Sequence, residues 1–211
     1  MFVISADQRS SRTTGDLVSE WRDLINEEYG TRLALPADRN AGDEIQVLTA
    51  DADTVLEIAL RLARSAKWSV GVGVGPVRQP LPAETREASG PAFNAARDAV
   101  TDAKKRPTRF AVRAEQQPDA WPSARDVQSL IDPILELRRK RSQQGWELHD
   151  TMQEVNTQAE AAGRLGITAA AASDRAQAAS LRIEREALPA AVRLLAALDR
   201  TTSPAKGKEK S

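Results

Sequence analysis

The segment Val70-Gly71-Val72-Gly73-Val74-Gly75 carries the strongest strand pattern of this chain. The residues alternate strictly, so a β-strand places the three valines on one face and the three glycines on the other. The valine face needs a hydrophobic core. The glycine face leaves room for another backbone or a ligand to come very close. We therefore predict a strand from Trp68 to Val77 with two unlike faces.

Helical and strand patterns alternate on both sides of this stretch. In chain order we predict a strand at Phe2–Ile4, a helix at Thr14–Tyr29, strands at Leu33–Leu35 and Ile45–Leu48, a helix capped by Asp51, the strand at Trp68–Val77, a helix at Pro91–Lys105 and a strand at Thr108–Ala114. Gly30 is expected to stop the first helix. This order, β-α-β-β-α-β-α-β, predicts an α+β fold in which helices pack on one mixed sheet.

Two aspartates lie where these segments are expected to meet. Asp7 follows the first strand, and Asp43 lies in Gly42-Asp43-Glu44 at the tip of the predicted hairpin. If the first strand lies beside the hairpin, the two carboxylates come together, and they repel each other unless a cation neutralises them. The pair therefore predicts a Mg²⁺ site. Magnesium held by two carboxylates commonly coordinates the phosphates of a nucleoside triphosphate. Alternatively, Asp43 and Glu44 only shape the turn.

Composition bounds the classes of function. The 211 residues contain 30 Lys+Arg and 30 Asp+Glu, so any nucleic-acid surface must be a local patch. The absence of cysteine excludes disulfides, thiolate metal sites and cysteine nucleophiles. His149 is the only histidine, which makes a Ser-His-Asp triad or a histidine metal site hard to defend. No signal peptide and no apolar run of membrane-spanning length is apparent, so we expect a cytoplasmic protein.

The strand pattern ends near Gln116. Proline-containing segments at Gln117–Asp119 and Trp121–Pro122 indicate a linker, and everything from Ser123 onwards is predicted helical. We expect a domain over residues 1–116, an all-α domain over 117–203 and a disordered Lys-rich tail over 204–211. Arg138-Arg139-Lys140-Arg141 closes the first helix of the second domain. These cations are either a solvated helix end or a contact to phosphates.

The helical part carries a helix-turn-helix pattern. Thr157-Gln158-Ala159-Glu160 is a capping box that starts one helix, and Ala161-Ala162 permits close helix packing. Leu165-Gly166-Ile167 forms the turn, where glycine takes the left-handed conformation. Thr168 caps a second helix expected to run through Leu181. In this motif the second helix enters a DNA major groove, whereas the alternative is an ordinary helical hairpin.

The predicted recognition helix begins with four alanines, which carry no hydrogen-bond code for bases. The candidates for base contacts are Thr168, Ser173 and Gln177. Arg164 and Arg175, together with Arg182, are candidates for phosphate contacts. So few contacts predict modest affinity per domain and binding to DNA as a homodimer.

Four segments resemble, in order, the SatD family of small bacterial proteins. They are Ala6-Asp7-Gln8-Arg9-Ser10-Ser11-Arg12, Gly42-Asp43-Glu44-Ile45-Gln46, Val70–Gly75 and Gly90-Pro91-Ala92-Phe93-Asn94-Ala95-Ala96-Arg97. The helical part also looks like the family's, which is similar to region four of sigma factors. The resemblance covers nearly the whole chain and implies a regulator more than a known activity.

The same segments are more distantly similar to class III nucleotide cyclases and GGDEF proteins, which share a palm-like (ferredoxin-like) fold. This similarity implies that Asp7 and Asp43 hold catalytic metals, and that Asn94 and Arg97, with Glu44, belong to a nucleotide-binding site. Cyclases space the asparagine and the arginine four apart, whereas here they are three apart.

Three functions therefore stay open. The leading one is DNA-binding transcription regulation, with the palm-like domain as a dimerising or ligand-sensing module. The second is a nucleotide-processing enzyme of cyclase type, and the third is a scaffold that binds another protein through the helical hairpin.

Overall fold

A computed structural model describes residues 1–9, 15–40, 42–116 and 119–202. Over these residues the protein is α+β, with one five-stranded mixed sheet and eight α-helices. The strands are β1 (Phe2–Gln8), β2 (Leu35–Arg39), β3 (Glu44–Thr49), β4 (Trp68–Val74) and β5 (Phe110–Ala114). The helices are α1 (Val18–Tyr29), α2 (Ala52–Arg64), α3 (Pro91–Ala103), α4 (Ala124–Lys140), α5 (Gln143–Gln153), α6 (Gln158–Arg164), α7 (Ala169–Ala178) and α8 (Leu181–Thr202).

The predicted order of strands and helices through β5 is confirmed. The strand order across the sheet is β2-β3-β1-β4-β5. The central strand β1 runs antiparallel to both neighbours, with Val3 opposite Leu48 of β3 and Gly73 of β4. β2 is antiparallel to β3, whereas β5 is parallel to β4 and reaches it through the crossover helix α3. The sheet is therefore mixed only because of its last strand.

The glycine face of β4 is occupied by a helix backbone. A Cβ placed on Gly73 would lie 2.1 Å from the carbonyl oxygen of Ala92, and one on Gly71 would lie 2.2 Å from the backbone nitrogen of Val100. The side of α3 that meets the strand is built mainly of small residues, which lets the two backbones approach. They are Ala92, Ala96, Ala99 and Ala103, all fully buried. Of the two occupants allowed by the sequence, backbone or ligand, the structure contains the backbone.

At each edge of the sheet, one carboxamide side chain forms hydrogen bonds with backbone groups of the edge strand. On the edge strand β2, Asn26 of α1 accepts from the N–H of Ala37 at 2.6 Å and donates to its carbonyl at 2.9 Å. On the edge strand β5, Gln128 of α4 accepts from the N–H of Val112 at 2.8 Å. Open edges invite pairing with foreign strands. These bonds occupy backbone groups that such a strand would use.

By its contacts the chain divides into two compact units. One contains Met1–Asp132 and the helix residues from Ala191 onwards, and the other is Pro133–Ala190. The division falls inside α4 and α8, beside Pro133 and Pro189, whereas the change from sheet to helices comes near residue 116, where we placed the boundary. The expected tail over 204–211 lies outside the described residues. None of the described helices is both long and apolar enough to cross a membrane.

Some predicted limits are wrong for local reasons. Gly30 has φ −48° and opens a 3₁₀ turn, so it does not stop α1 in the left-handed conformation. The second strand begins at Leu35 rather than Leu33. The helix after Thr168 does not run through Leu181, because the chain breaks at Ser180, where φ is +54°.

Candidate functional site

The first strand does lie beside the hairpin, as predicted. Asp7 is opposite Glu44 in the β1–β3 ladder, and the N–H of Gln8 donates to the carbonyl of Asp43 at 2.9 Å. Because side chains alternate between faces, the register places Asp7 and Glu44 on one face and Asp43 opposite Gln8. The carboxylates that share a face by register are those of Asp7 and Glu44.

A lysine neutralises Asp7. The Nζ of Lys104, the residue after α3, lies 2.6 Å from Oδ2 of Asp7, and the two side chains are 46% and 23% exposed. Glu44 accepts from the side chains of Asn40 and Gln46, each at 3.3 Å. The ammonium group of Lys104 therefore supplies part of the positive charge that the neighbouring carboxylates of Asp7 and Glu44 require.

A magnesium ion would compete with Lys104 for Asp7. In the described parts of the chain, no group of three or more histidine, cysteine or acidic side chains could hold a metal. Magnesium in nucleotide sites needs only one or two carboxylates, with phosphates and water completing the shell. A site of that kind would use Asp7 with Asp43 or Glu44, and it stays a prediction.

If this site binds Mg²⁺ or Mn²⁺, the cation should raise the melting temperature, and Asp7→Asn should abolish the rise. Lys104→Met should enlarge the rise, because it removes the competing ammonium group. Asp43→Asn and Glu44→Gln, compared side by side, identify the second carboxylate. Calorimetry with and without the cation is the measurement, and an unchanged melting temperature for both the parent and Lys104→Met would exclude the site.

The other two residues implied by the cyclase similarity lie on α3. Asn94 and Arg97 are both exposed, on the side of the helix opposite the alanines that meet β4. The described contacts of Asp7 reach the end of α3 through Lys104 and involve neither residue. Asn94 and Arg97, three residues apart, thus share one face of α3, and their part in a nucleotide-binding site stays a prediction.

The two helices of the predicted motif are joined by a tight turn. The hydroxyl of Thr157 accepts from the N–H of Glu160 and caps α6, and that of Thr168 accepts from the N–H of Ala171 and caps α7. Gly166 has φ +64°, the left-handed conformation predicted for the turn. A small core joins α5, α6 and α7. Its buried members are Leu148, Ala161, Ala162 and Ala172.

The predicted DNA-contacting residues lie at the surface of this hairpin. Thr168, Ser173, Gln177 and Arg164 are exposed, and Arg175 is half-buried. Both arginines face carboxylates: Arg164 lies 2.9 Å from Glu154 and Arg175 lies 3.9 Å from Glu147. The unit Pro133–Ala190 contains eight basic and eight acidic residues. The unit thus has no net charge, and any electrostatic attraction to DNA would have to come from a local group of basic residues.

Two arginines of the Arg138–Arg141 run point inwards. Arg138 and Arg141 both form ion pairs with Glu184 of α8, and the Arg141 side chain is fully buried. Their guanidinium groups lie 4.8 and 4.4 Å from the ring centroid of Trp146, and Arg141 also donates to the carbonyl of Ala179 at 3.1 Å. For these two residues, both expectations from the sequence, a solvated helix end and a phosphate contact, are wrong. No sequence signal identified Glu184 as their partner.

The histidine borders the same cluster. The ring of His149 meets Trp146 edge-on at 5.1 Å, and its Nδ1 lies 3.0 Å from Asp150. Burial lowers the pKa of His149, although Asp150 and Glu184 oppose the change. Burial acts to raise the pKa of Glu184, but Arg138 and Arg141 outweigh it and hold that pKa below its usual value.

Both shifts predict that acid destabilises this helical unit. With a lowered pKa in the folded state, His149 binds fewer protons than in the unfolded chain, so stability should fall as the pH drops below about 6.5. The contribution of Glu184 should be lost at lower pH, below about 4.5. In urea titrations from pH 8 to pH 4, His149→Gln should remove the first loss. An identical pH dependence in the parent and the variant would contradict the assignment to His149.

An apolar groove of about 500 Å³ lies beside α7. Met152, Ala176 and Leu181, which pack against the buried core of the hairpin, line it. Ser173 and Gln177 of α7 also line it, together with the first turn of α8. Two of the predicted base-contacting residues thus border an apolar surface.

Comparison of the chain with protein-family models, with curated proteins and with solved structures finds no match.

Proposed function

We propose that this protein is a DNA-binding transcriptional regulator in which α6 and α7 form the helix-turn-helix. The observation that carries the proposal is the capped helical hairpin with its left-handed glycine. Gly166 and the Thr168 cap set the start of α7, and Thr168 itself is exposed there. A helix presented in this way fits a major groove.

The sheet unit supplies the palm-like (ferredoxin-like) module of this proposal. Its first four strands and their two connecting helices follow a β-α-β-β-α-β order, with β4, β1, β3 and β2 side by side. That order and those strand directions are the ones of a split β-α-β arrangement. We assign this module to ligand sensing or dimerisation rather than to turnover, because Lys104 already neutralises Asp7.

In the free protein the phosphate-contacting arginines are held by carboxylates. On DNA, Arg164 and Arg175 would exchange Glu154 and Glu147 for phosphate oxygens. Both existing pairs are solvent-exposed in part and therefore contribute little stability. Exchanging these carboxylates for phosphates is therefore feasible, but it adds little affinity for DNA. Low affinity per copy again favours binding by two copies of the chain.

The test is the salt dependence of DNA binding. Arg164→Gln combined with Arg175→Gln should weaken binding to every sequence and reduce the slope of log K against log salt by about 2, or about 1 per phosphate contact. Fluorescence anisotropy with a labelled random duplex gives both quantities. Arg113→Gln is the matched control, since Arg113 is an exposed arginine of the sheet unit and pairs with the carboxylate of Asp102.

If the double variant binds DNA as well as the parent, or if neither binds at low salt, the DNA proposal is wrong. The hairpin would then be a protein-docking surface, and the scaffold function would take first place.

A further inference from the structure

Ile183 is an unusual surface residue. It is 58% exposed and lies in the first turn of α8, on one wall of the apolar groove beside α7. Ser173 and Gln177 of α7 also line the groove, as do Arg182 and Arg185 of α8. An exposed large aliphatic side chain beside an apolar groove is the composition of a contact site for protein rather than for DNA.

The charges around Ile183 are self-complementary. Arg182 and Glu186 are four residues apart and pair within the helix at 3.3 Å, and their side chains are 82% and 65% exposed. Such an exposed pair contributes little and can exchange partners. If two copies of this helix turn meet antiparallel about a two-fold axis, Arg182 of each copy faces Glu186 of the other. The two-fold axis also keeps residues of the same number on the same flank of the helix pair, so Ile183 of one copy lies beside Ile183 of the other.

From this pattern we infer that a second copy of this chain covers the groove, with the first turns of α8 paired antiparallel and Ile183 of each copy seated in the groove of the other. An acidic partner would meet Arg182 and Arg185 but be repelled by Glu186, and the phosphates of DNA offer an isoleucine no apolar surface to pack against. A second copy satisfies both charges and the apolar residue together.

The inference deepens the proposed function and rests on it in one respect: two copies give the hairpin the number of contacts that one lacks. It also reassigns three residues, because Arg182, a predicted phosphate contact, pairs here with Glu186 of the second copy. Ser173 and Gln177 line the groove, so they contact the second copy, and base contact is left to Thr168 and the exposed start of α7.

The first experiment measures oligomeric state without DNA. Sedimentation equilibrium of the full chain should show a dimer at micromolar concentration. Ile183→Asp should weaken association at least tenfold, while circular dichroism shows that the variant is folded. Trp121→Asp is the matched control, because Trp121 is also a large hydrophobic residue with a highly exposed side chain, at 74%. It should leave the dimer intact.

The second experiment tests the pairing itself. Arg182→Glu alone and Glu186→Arg alone should each weaken self-association, because each places like charges opposite each other. Mixing the two variants should restore dimers, since every contact in the mixed pair joins opposite charges. The chain carrying both substitutions should also dimerise.

A monomeric parent, an Ile183→Asp variant that dimerises as the parent does, or a mixture that fails to associate would each overturn the inference. These results do not depend on DNA. A monomeric parent with an intact Arg164/Arg175 effect on DNA refutes only the inference, and a dimer that binds no DNA refutes only the proposed function.

Discussion

Replacing Gly73 by alanine is expected to lower the free energy of unfolding of the sheet unit by more than about 3 kcal/mol. The added Cβ would meet the Ala92 carbonyl oxygen at 2.1 Å and the Ala96 nitrogen at 2.2 Å. Both are backbone atoms of α3, so no rotation of a side chain can relieve the overlap. The helix must move away from the sheet and lose the contacts of its buried alanines.

The matched control for this substitution is Gly163→Ala. Gly163 lies inside α6, and a Cβ there would have no heavy atom within 4 Å. Alanine should therefore be neutral or stabilising by up to about 1 kcal/mol. Urea unfolding followed by circular dichroism measures both variants. If the free energy of unfolding of Gly73→Ala is within about 0.5 kcal/mol of the parent value, the close packing of α3 on β4 is contradicted.

Glu184→Ala is expected to destabilise the helical unit by about 3–5 kcal/mol. The Glu184 side chain is only 3% exposed and is the ion-pair partner of both Arg138 and Arg141. Its removal takes from both guanidinium groups the carboxylate that they share, in a site beside Trp146 where the Arg141 side chain is fully buried. Hydrogen exchange of backbone amides in α5, α6 and α7 reports on this unit separately from the sheet.

The comparison variants separate charge from packing. Glu154→Ala removes an exposed carboxylate, 69% accessible, and should change stability by no more than about 0.5 kcal/mol. Replacing all three charged residues by apolar ones, as Glu184→Leu with Arg138→Met and Arg141→Met, should recover most of the loss. If the triple variant is as unstable as Glu184→Ala, the loss arises from packing and not from unpaired charge.

Elements with local sequence signals were predictable before folding was considered. The alternation of valine and glycine in β4 requires an extended strand, because only a period of two separates the two residue types. Thr157 and Thr168 are followed by helices because their hydroxyls bond to N–H groups three residues along the chain. Gly166 was predictable as a left-handed turn residue for the same reason: its conformation depends on its neighbours in sequence.

Contacts between groups that are distant in sequence became known only from the folded chain. The alternation of valine and glycine showed that one face of β4 has no side chains. It could not show that α3 packs against that face. Asp7 could be identified as a carboxylate in need of a cation, but its partner Lys104 lies 97 residues away. Arg138 and Arg141 looked like solvated cations until folding brought Glu184 to them. Ion pairs and backbone contacts of this kind depend on distances in space. Residue spacing along the chain fixes those distances within one helix or strand, and not between separate elements.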